Sequence, residues 1–212
     1  MSVPAPQFDA VVLAGGRSSR LGGVAKAGLV LEGRTLLERT CAAMSAARHL
    51  TLVGPVPEDV DWAPEGTPWS SVREDPPFTG PAAALVAGFR AHPGSAGTGG
   101  GAARAPWCVV VACDMPRVAE LLTILLAEAA REDGTASLVP VDGGREQPLA
   151  ALYRTDDLQH AIEAVLARGS ADNLSIRSLL ATVRSRPVPV PPGTTRDVDT
   201  WADARELGVD VP

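Results

Sequence analysis

FDAVVLAGGRSSRLGGVAK, residues 8–26, decides how the rest of the chain is read. The apolar run Val11-Val12-Leu13 drives into a glycine-rich turn, Ala14-Gly15-Gly16. Arg17, Ser18 and Arg20 follow, then Gly22-Gly23 and Lys26. A buried strand that ends in small residues brings backbone N–H groups up to an anion. The two arginines and the lysine make a phosphate chain the expected anion. Two well-known phosphate loops are excluded. There is no Gly-Lys-Ser/Thr, so this is not a Walker A loop, and Gly15-Gly16-Arg17 breaks the dinucleotide G-x-G-x-x-G pattern. Side-chain cations must therefore do part of the work that backbone amides do in those two.

Outward from this stretch, short apolar runs alternate with helical periodicity. Residues 9–14 read as a buried strand, 34–48 as a helix with Leu36, Leu37, Thr40, Cys41 and Met44 on one face, and 50–53 as a second strand. Four prolines make 55–70 an irregular connection before a short strand at 71–74. A helix is expected after Gly80-Pro81, burying Ala82, Leu85, Val86 and Phe89. Residues 94–105 are a flexible glycine-rich loop in which Arg104 is the charged residue. Trp107–Cys113 is continuous and β-branched, as a central strand covered on both faces would be. Beyond it, Val118, Leu121, Leu122, Leu125, Leu126 and Ala129 repeat at helical spacing.

Strand candidates at 137–141 and 148–153 flank a turn at Asp142-Gly143-Gly144. Helices follow over 158–166 and 175–183, an extended Pro/Val edge segment over 186–190, and a terminal helix over 201–207. The order predicts a single α/β domain over 1–212. Its fold is a Rossmann-like three-layer sandwich with a mostly parallel central sheet.

Composition narrows the function class. Of 212 residues, 45% are apolar and 21% charged, and the net charge is −6, which argues against a general nucleic-acid binder. No apolar run is long enough to span a membrane. The start, MSVPAPQFD, lacks the pattern of a signal peptide. Three cysteines without metal-ligand spacing read as reduced thiols, so a cytoplasmic location is expected.

In a parallel sheet, ligands bind beyond the carboxyl ends of the strands. Asp114 stands at one such end and Asp75 at another. A carboxylate opposite a phosphate loop can hold Mg²⁺, yet Asp114 can equally cap the helix that begins two or three residues later. Asp197 and Asp199 form a D-V-D pair. In an extended segment both side chains point the same way, and the pair can supply a second carboxylate to the metal. The simpler reading is a loop in which Asp199 or Thr200 caps the terminal helix. Arg145-Glu146-Gln147-Pro148 is either a substrate contact or a turn. His49, His92 and His160 have no ligand spacing.

Together these residues resemble the MobA-type molybdenum cofactor guanylyltransferases. The resemblance runs through Leu13-Ala14-Gly15-Gly16-x-Ser18-x-Arg20-Leu21-Gly22-Gly23-Val24-x-Lys26, Arg73-Glu74-Asp75 with Gly80-Pro81, Ala112-Cys113-Asp114-Met115-Pro116, Arg145-Glu146-Gln147-Pro148 and Asp197-Val198-Asp199-Thr200. It implies a Mg²⁺-dependent transfer of GMP from GTP to molybdenum-bound molybdopterin, with release of pyrophosphate. It implies further that Leu13, Ala14, Gly15, Gly16, Arg17, Ser18, Lys26, Asp75 and Asp114 hold the nucleotide. Arg20, Lys26 and Asp114 serve catalysis, with Asp114, aided by Asp199, on the metal. Arg145, Gln147, Pro148, Asp197 and Asp199 face the pterin. Enzymes that deliver the cofactor or accept the product are implied as partners; no oligomeric state is.

The chain departs from the family pattern at Ala25, at Gly54 (where an asparagine is common), and in the late motif, which carries aspartates as in the related cytidylyltransferases. Residues 94–105 are an insertion. Ala-Gly-Gly in the first loop favours guanine. The alternatives are cytidylyl transfer to molybdopterin or another small phosphate acceptor, and a non-catalytic nucleotide-binding protein on the same fold.

Overall fold

The computed structural model describes residues 5–16, 18–56, 62–94, 103–131 and 134–210. Strand β1 (Phe8–Leu13) lies at its centre, paired in parallel with β4 (Leu50–Val53) on one side and β6 (Trp107–Ala112) on the other. Its side chains alternate as a two-sided strand must. Phe8, Ala10 and Val12 enter one core layer, and Val11 and Leu13 the other.

The remaining strands are β5 (Trp69–Val72), β7 (Ser137–Asp142), β8 (Arg145–Glu146), β9 (Ala150–Arg154) and β10 (Ser185–Pro189). The sheet runs β10-β7-β9-β6-β1-β4-β5, with β8 hairpinned onto β7. Antiparallel β9, wedged between β6 and β7, and the short β8 are the exceptions to an otherwise parallel sheet.

Helices α1 (Leu36–Ala43) and α3 (Val118–Arg131) cover one face, through Leu37, Cys41, Leu121 and Leu125. Helices α2 (Pro81–Arg90) and α4 (Thr155–Leu166) cover the other, through Leu85, Phe89, Leu158 and Ile162. The result is the three-layer α/β sandwich expected. Helix α2 comes especially close: a Cβ on Gly88 would fall 2.4 Å from Val53 Cγ2 and 2.7 Å from Val11 Cγ1. Bare backbone at that position lets the helix sit down on β1 and β4.

Several boundaries differ from the sequence expectation. Arg34–Thr35 is not helical; it is β3, which pairs with β2 (Val30–Leu31) around Glu32-Gly33, both at positive φ. Thr35 then caps α1 in a capping box with Glu38, so the helix starts two residues late, and it ends at Ala43 rather than near Arg48. The third strand slides back to Trp69–Val72, where it pairs with β4. The helix expected over 175–183 is the single turn α5 (Ile176–Leu179).

A third cluster joins the β2–β3 hairpin to the chain's end. Leu21, Leu29, Leu31 and Leu36 pack with Val198, Ala204 and Val209 around α6 (Trp201–Glu206). Most of the expected 94–105 loop lies outside the described residues. Near its end, Arg104 lies 3.7 Å over the Phe89 ring and donates to the Phe89 carbonyl, while Ala105 N–H donates to Asp9. The three cysteines are free and buried. Burial pushes the Cys41 and Cys108 thiols up to about 12 and raises Cys113 as well, so none is a ready nucleophile. Among the described residues no helix is long and apolar enough to cross a membrane.

Candidate active site

The chain leaves β1, winds outward through β4 and β5, then returns to β6 on β1's other flank. The winding direction reverses there, which opens a crevice beyond the carboxyl ends of β1 and β6. A cleft of about 600 Å³ fills that crevice and extends toward β4 and β5. Ala14, Gly15, Gly16 and Ser18 form its edge above β1. Ala14 N–H donates to Val53 O, and Cys113 N–H donates to Leu13 O, so both neighbouring strands anchor the mouth of the loop. A Cβ on Gly15 or Gly16 would meet nothing within 4 Å, so their backbone is open to a ligand. Leu21, in the turn after Ser18, is buried and pins the far side of the loop. Arg17 lies outside the described residues.

The charged end of the cleft is built from three separate segments. Lys26 Nζ donates to Asp114 Oδ2 at 2.7 Å and to Asp199 Oδ1 at 2.5 Å. Arg20 donates to Asp199 Oδ2 at 3.2 Å. Partial burial pulls the Lys26 ammonium down, but the hydrogen bonds and charges of Asp114 and Asp199 outweigh it. Its pKa stands above the usual lysine value. Carboxylate oxygens of Asp114, Asp197 and Asp199 all lie within 4.8 Å of one another. Desolvation, together with the negative charges of Asp114 and Asp199, raises Asp197 above the ordinary carboxylate range. Such a set of hard oxygen donors is suited to a divalent cation.

The late D-V-D motif arrives here for a packing reason. Val198 is fully buried in the third cluster, and its N–H donates to the Asp114 carbonyl. With Val198 turned inward, Asp197 and Asp199 both turn to the acidic cluster, as alternation requires. Thr200 caps α6, in a box with Asp203, which leaves Asp199 free of capping duty. Upstream, Asp142 accepts hydrogen bonds from Gly193 N, Thr195 N and Thr195 Oγ1. Burial opposes its ionisation, but these bonds win and hold its carboxyl below the usual range. Asp142 thus ties down the loop that delivers the motif; its sequence position in a turn gave no hint of this.

Other expected contacts are not brought into the cleft. Asp75 is exposed and does not line it, whereas its neighbour Glu74 is buried and does. Arg145 is exposed on β8. Gln147 N–H is spent on the Pro140 carbonyl, and Pro148 lines a separate cavity of about 190 Å³ with Glu146 and Arg177. From that stretch only Leu149 reaches the main cleft. Phe78, Gly54, Pro55 and Pro81 also line it, and sequence reading did not single out Phe78.

A family model for the MobA-like NTP transferase domain matches residues 10–186. The chain belongs to this family. Among relatives, a molybdenum cofactor guanylyltransferase from Burkholderia ambifaria (strain MC40-6) is 33% identical over 172 residues, which cover 76% of this chain and 78% of that protein. One from Shewanella sp. (strain MR-4) is 29% identical over 163 residues, 77% and 76% of the two chains. The crystal structure of Rv0371c from Mycobacterium tuberculosis H37Rv aligns with a TM-score of 0.61 at 26% identity, over 97% of this chain and 98% of that one. The 2-C-methyl-D-erythritol 4-phosphate cytidylyltransferase of Thermus thermophilus shares the fold at 19% identity, with a TM-score of 0.61 over 95% and 97%. In this MobA-like NTP transferase, the glycine loop, Lys26, Asp114 and Asp199 therefore meet at one cleft of a nucleotidyltransferase fold.

Proposed function

We propose that this chain moves a nucleoside monophosphate from a nucleoside triphosphate to a phosphorylated small molecule, with release of pyrophosphate. The observation that carries the reading is the meeting of Lys26, Asp114 and Asp199 at the edge of an open glycine loop. An acceptor phosphate oxygen bonds to the α-phosphorus as the bond from that phosphorus to the β-phosphate bridging oxygen breaks. Both partners are anions, so charge neutralisation and alignment are the main tasks.

The open backbone of Gly15 and Gly16 receives the phosphate chain. Lys26 and Arg20 turn from the carboxylates to phosphate oxygens. Asp114 and Asp199, with Asp197 beside them, would hold Mg²⁺, which supplies further neutralisation of the phosphates. Loss of one such group is expected to cost on the order of 10²–10³ in kcat. No side-chain nucleophile is needed.

For donor and acceptor, we infer GTP and molybdenum-bound molybdopterin, on the strength of the guanylyltransferase relatives and the Ala-Gly-Gly loop. A second reading, cytidylyl transfer to molybdopterin or another phosphate acceptor, draws on two observations. The late motif carries Asp197 and Asp199. Position 54 cannot carry a base-contacting side chain, because a Cβ there would lie 2.9 Å from Ala14 C and Gly15 N. Proteins that deliver the pterin or take up the product are the expected partners, and the cytoplasm the expected location. Pyrophosphate release with GTP or CTP, with and without molybdopterin, tests the reading. Release with GTP and molybdopterin supports the first pair, and release with CTP alone selects the second. No release with any nucleotide and acceptor would leave a binding protein.

A further inference from the structure

The cleft has a second end, away from the carboxylates. The sheet order places the ends of β6, β1, β4 and β5 side by side, so the site changes character step by step across three strand spacings, roughly 14 Å. Asp114 follows β6, the glycine loop follows β1, Gly54 follows β4, and Arg73-Glu74 follows β5. One end is ionic. The other is walled by Gly54, Pro55, Phe78 and Pro81, with the buried Glu74 carboxyl between them. A nucleotide has the same polarity: charge at one end, a flat ring with N–H donors at the other.

Phe78 is unusual in three ways. It is 45% exposed, although it is among the chain's few aromatic residues and most of the others are buried. Its φ is +65°, in the left-handed region that bulky residues avoid. And it is held there. Its N–H donates to Glu74 Oε1 at 3.0 Å, Thr79 Oγ1 donates to the Pro76 carbonyl at 3.0 Å, and the Thr79 carbonyl accepts from Asn173 N–H at 2.7 Å. The Arg73 guanidinium lies 5.2 Å from the ring centroid. A backbone kept in a disfavoured region by several bonds, at the mouth of a cleft, is how folds present a side chain to a ligand. The Gly54 backbone packs directly against Ala14 and Gly15, where a Cβ would lie 2.9 Å from Ala14 C and Gly15 N, so no side chain from position 54 enters this end of the cleft.

We propose that Phe78 is the stacking face for the nucleobase, with Glu74 as its positioning residue; the inference rests on the nucleotide reading above. Glu74 Oε1 accepts the Phe78 N–H, and this cleft-lining carboxylate is the acceptor proposed for a ring amine, which guanine and cytosine both carry. The sequence expectation gave the base contact to Asp75, whereas here the base meets Phe78 and the preceding residue.

Calorimetry on the full chain with Mg²⁺ tests this, using GTP, CTP and inorganic tripolyphosphate as ligands. Phe78→Ala is expected to weaken whichever nucleotide binds by about 10-fold, as loss of one stacked base does, and to leave tripolyphosphate unchanged. Phe78→Tyr, which keeps the ring, restores nucleotide affinity. Equal weakening of nucleotide and tripolyphosphate would overturn the proposal, since the ring would then serve only the fold. Unchanged nucleotide affinity in Phe78→Ala would also overturn it. If the unaltered chain binds tripolyphosphate as tightly as either nucleotide, the base contributes nothing, and this inference fails while the phosphate cleft stands. If it binds neither, both readings fall.

Discussion

Replacing Lys26 with Met keeps the length of the side chain and removes the ammonium that Asp114 and Asp199 share. Three carboxylates within 4.8 Å of one another then lose their inner cation. Two unit charges at that separation repel by about 3–4 kcal/mol at an effective dielectric of about 20, and by about 1 kcal/mol in water. Lys26 and Asp114 are mostly covered and Asp199 is 42% exposed, which puts the cost between these limits, at about 1–3 kcal/mol. A chain of 212 residues has an unfolding entropy of roughly 0.45 kcal/mol per degree, so the melting temperature should fall by about 2–7 °C.

Thermal melts in EDTA at pH 8 and at pH 5 read this out. The deficit should be largest at pH 8. It should shrink toward pH 5, because the cluster relieves its repulsion by taking up a proton, and Asp197 already holds its proton more tightly than in the unfolded chain. A carboxyl with a raised folded-state pKa destabilises the fold above that pKa and ceases to do so as pH falls below it. Millimolar Mg²⁺ should stabilise Lys26→Met more than the unaltered chain, since the metal no longer competes with the ammonium. Identical melts in EDTA, or no difference in the response to Mg²⁺, would refute the reasoning.

Three further outcomes are expected. Gly54→Ala puts a Cβ against the backbone of Ala14 and Gly15 at φ +138°. Neither partner can retreat without moving the phosphate loop, so a loss of about 2–4 kcal/mol, read by urea denaturation, should accompany weakened nucleotide binding. Gly88→Ala, although better for the helix, should cost about 1–3 kcal/mol by forcing α2 off Val53 and Val11, with nucleotide affinity little changed. Burial and the nearby His92 charge, with Asp9 opposing and Arg104 adding, hold His49 below the ordinary histidine value. The unfolded chain then binds the extra proton more readily, so stability falls as pH drops through about 6.5 and is level above it. His49→Gln should flatten that fall in denaturation midpoints between pH 7.5 and 5.5, and an unchanged slope would contradict the assignment.

The layers of the fold were legible because each strand and helix advertised its period. Trp107–Ala112 and Val118–Arg131 carried it most plainly. The β2–β3 hairpin escaped because its strands are two residues long and Glu32, not asparagine or glycine, occupies the first left-handed turn position. The late start of α1 was written in Thr35-x-x-Glu38, a capping box within a helical pattern that already looked continuous. The reversed direction of β9 was signalled only by the Asp142-Gly143-Gly144 turn between it and β7; its insertion between β6 and β7 has no local signature, since a strand buried on both faces reads like its parallel neighbours.

At the site, the end of the central strand brought out Asp114 and the basic residues after the glycine turn brought out Lys26, whereas Asp199 read more simply as a loop or cap residue. Of the two cap candidates, Thr200 takes the role, in a box completed by Asp203 three residues on, and Asp199 does not. Glu74 in place of Asp75, and Phe78, could not be read. Which of two adjacent residues faces a cleft depends on the turn that follows β5, where Phe78 N–H donates to Glu74 and the Thr79 carbonyl accepts from Asn173, far along the chain.

Calorimetry of the chain with GTP, CTP and ATP, each with Mg²⁺, alongside Asp114→Ala, bears most directly on the central claim that this cleft grips a nucleoside triphosphate through the glycine loop and the acidic cluster. The account predicts binding of GTP or CTP that depends on Mg²⁺ and weakens at least about 10-fold in Asp114→Ala, consistent with loss of a charge-assisted metal contact. No binding of any nucleotide, or binding indifferent to both Mg²⁺ and Asp114→Ala, would contradict it.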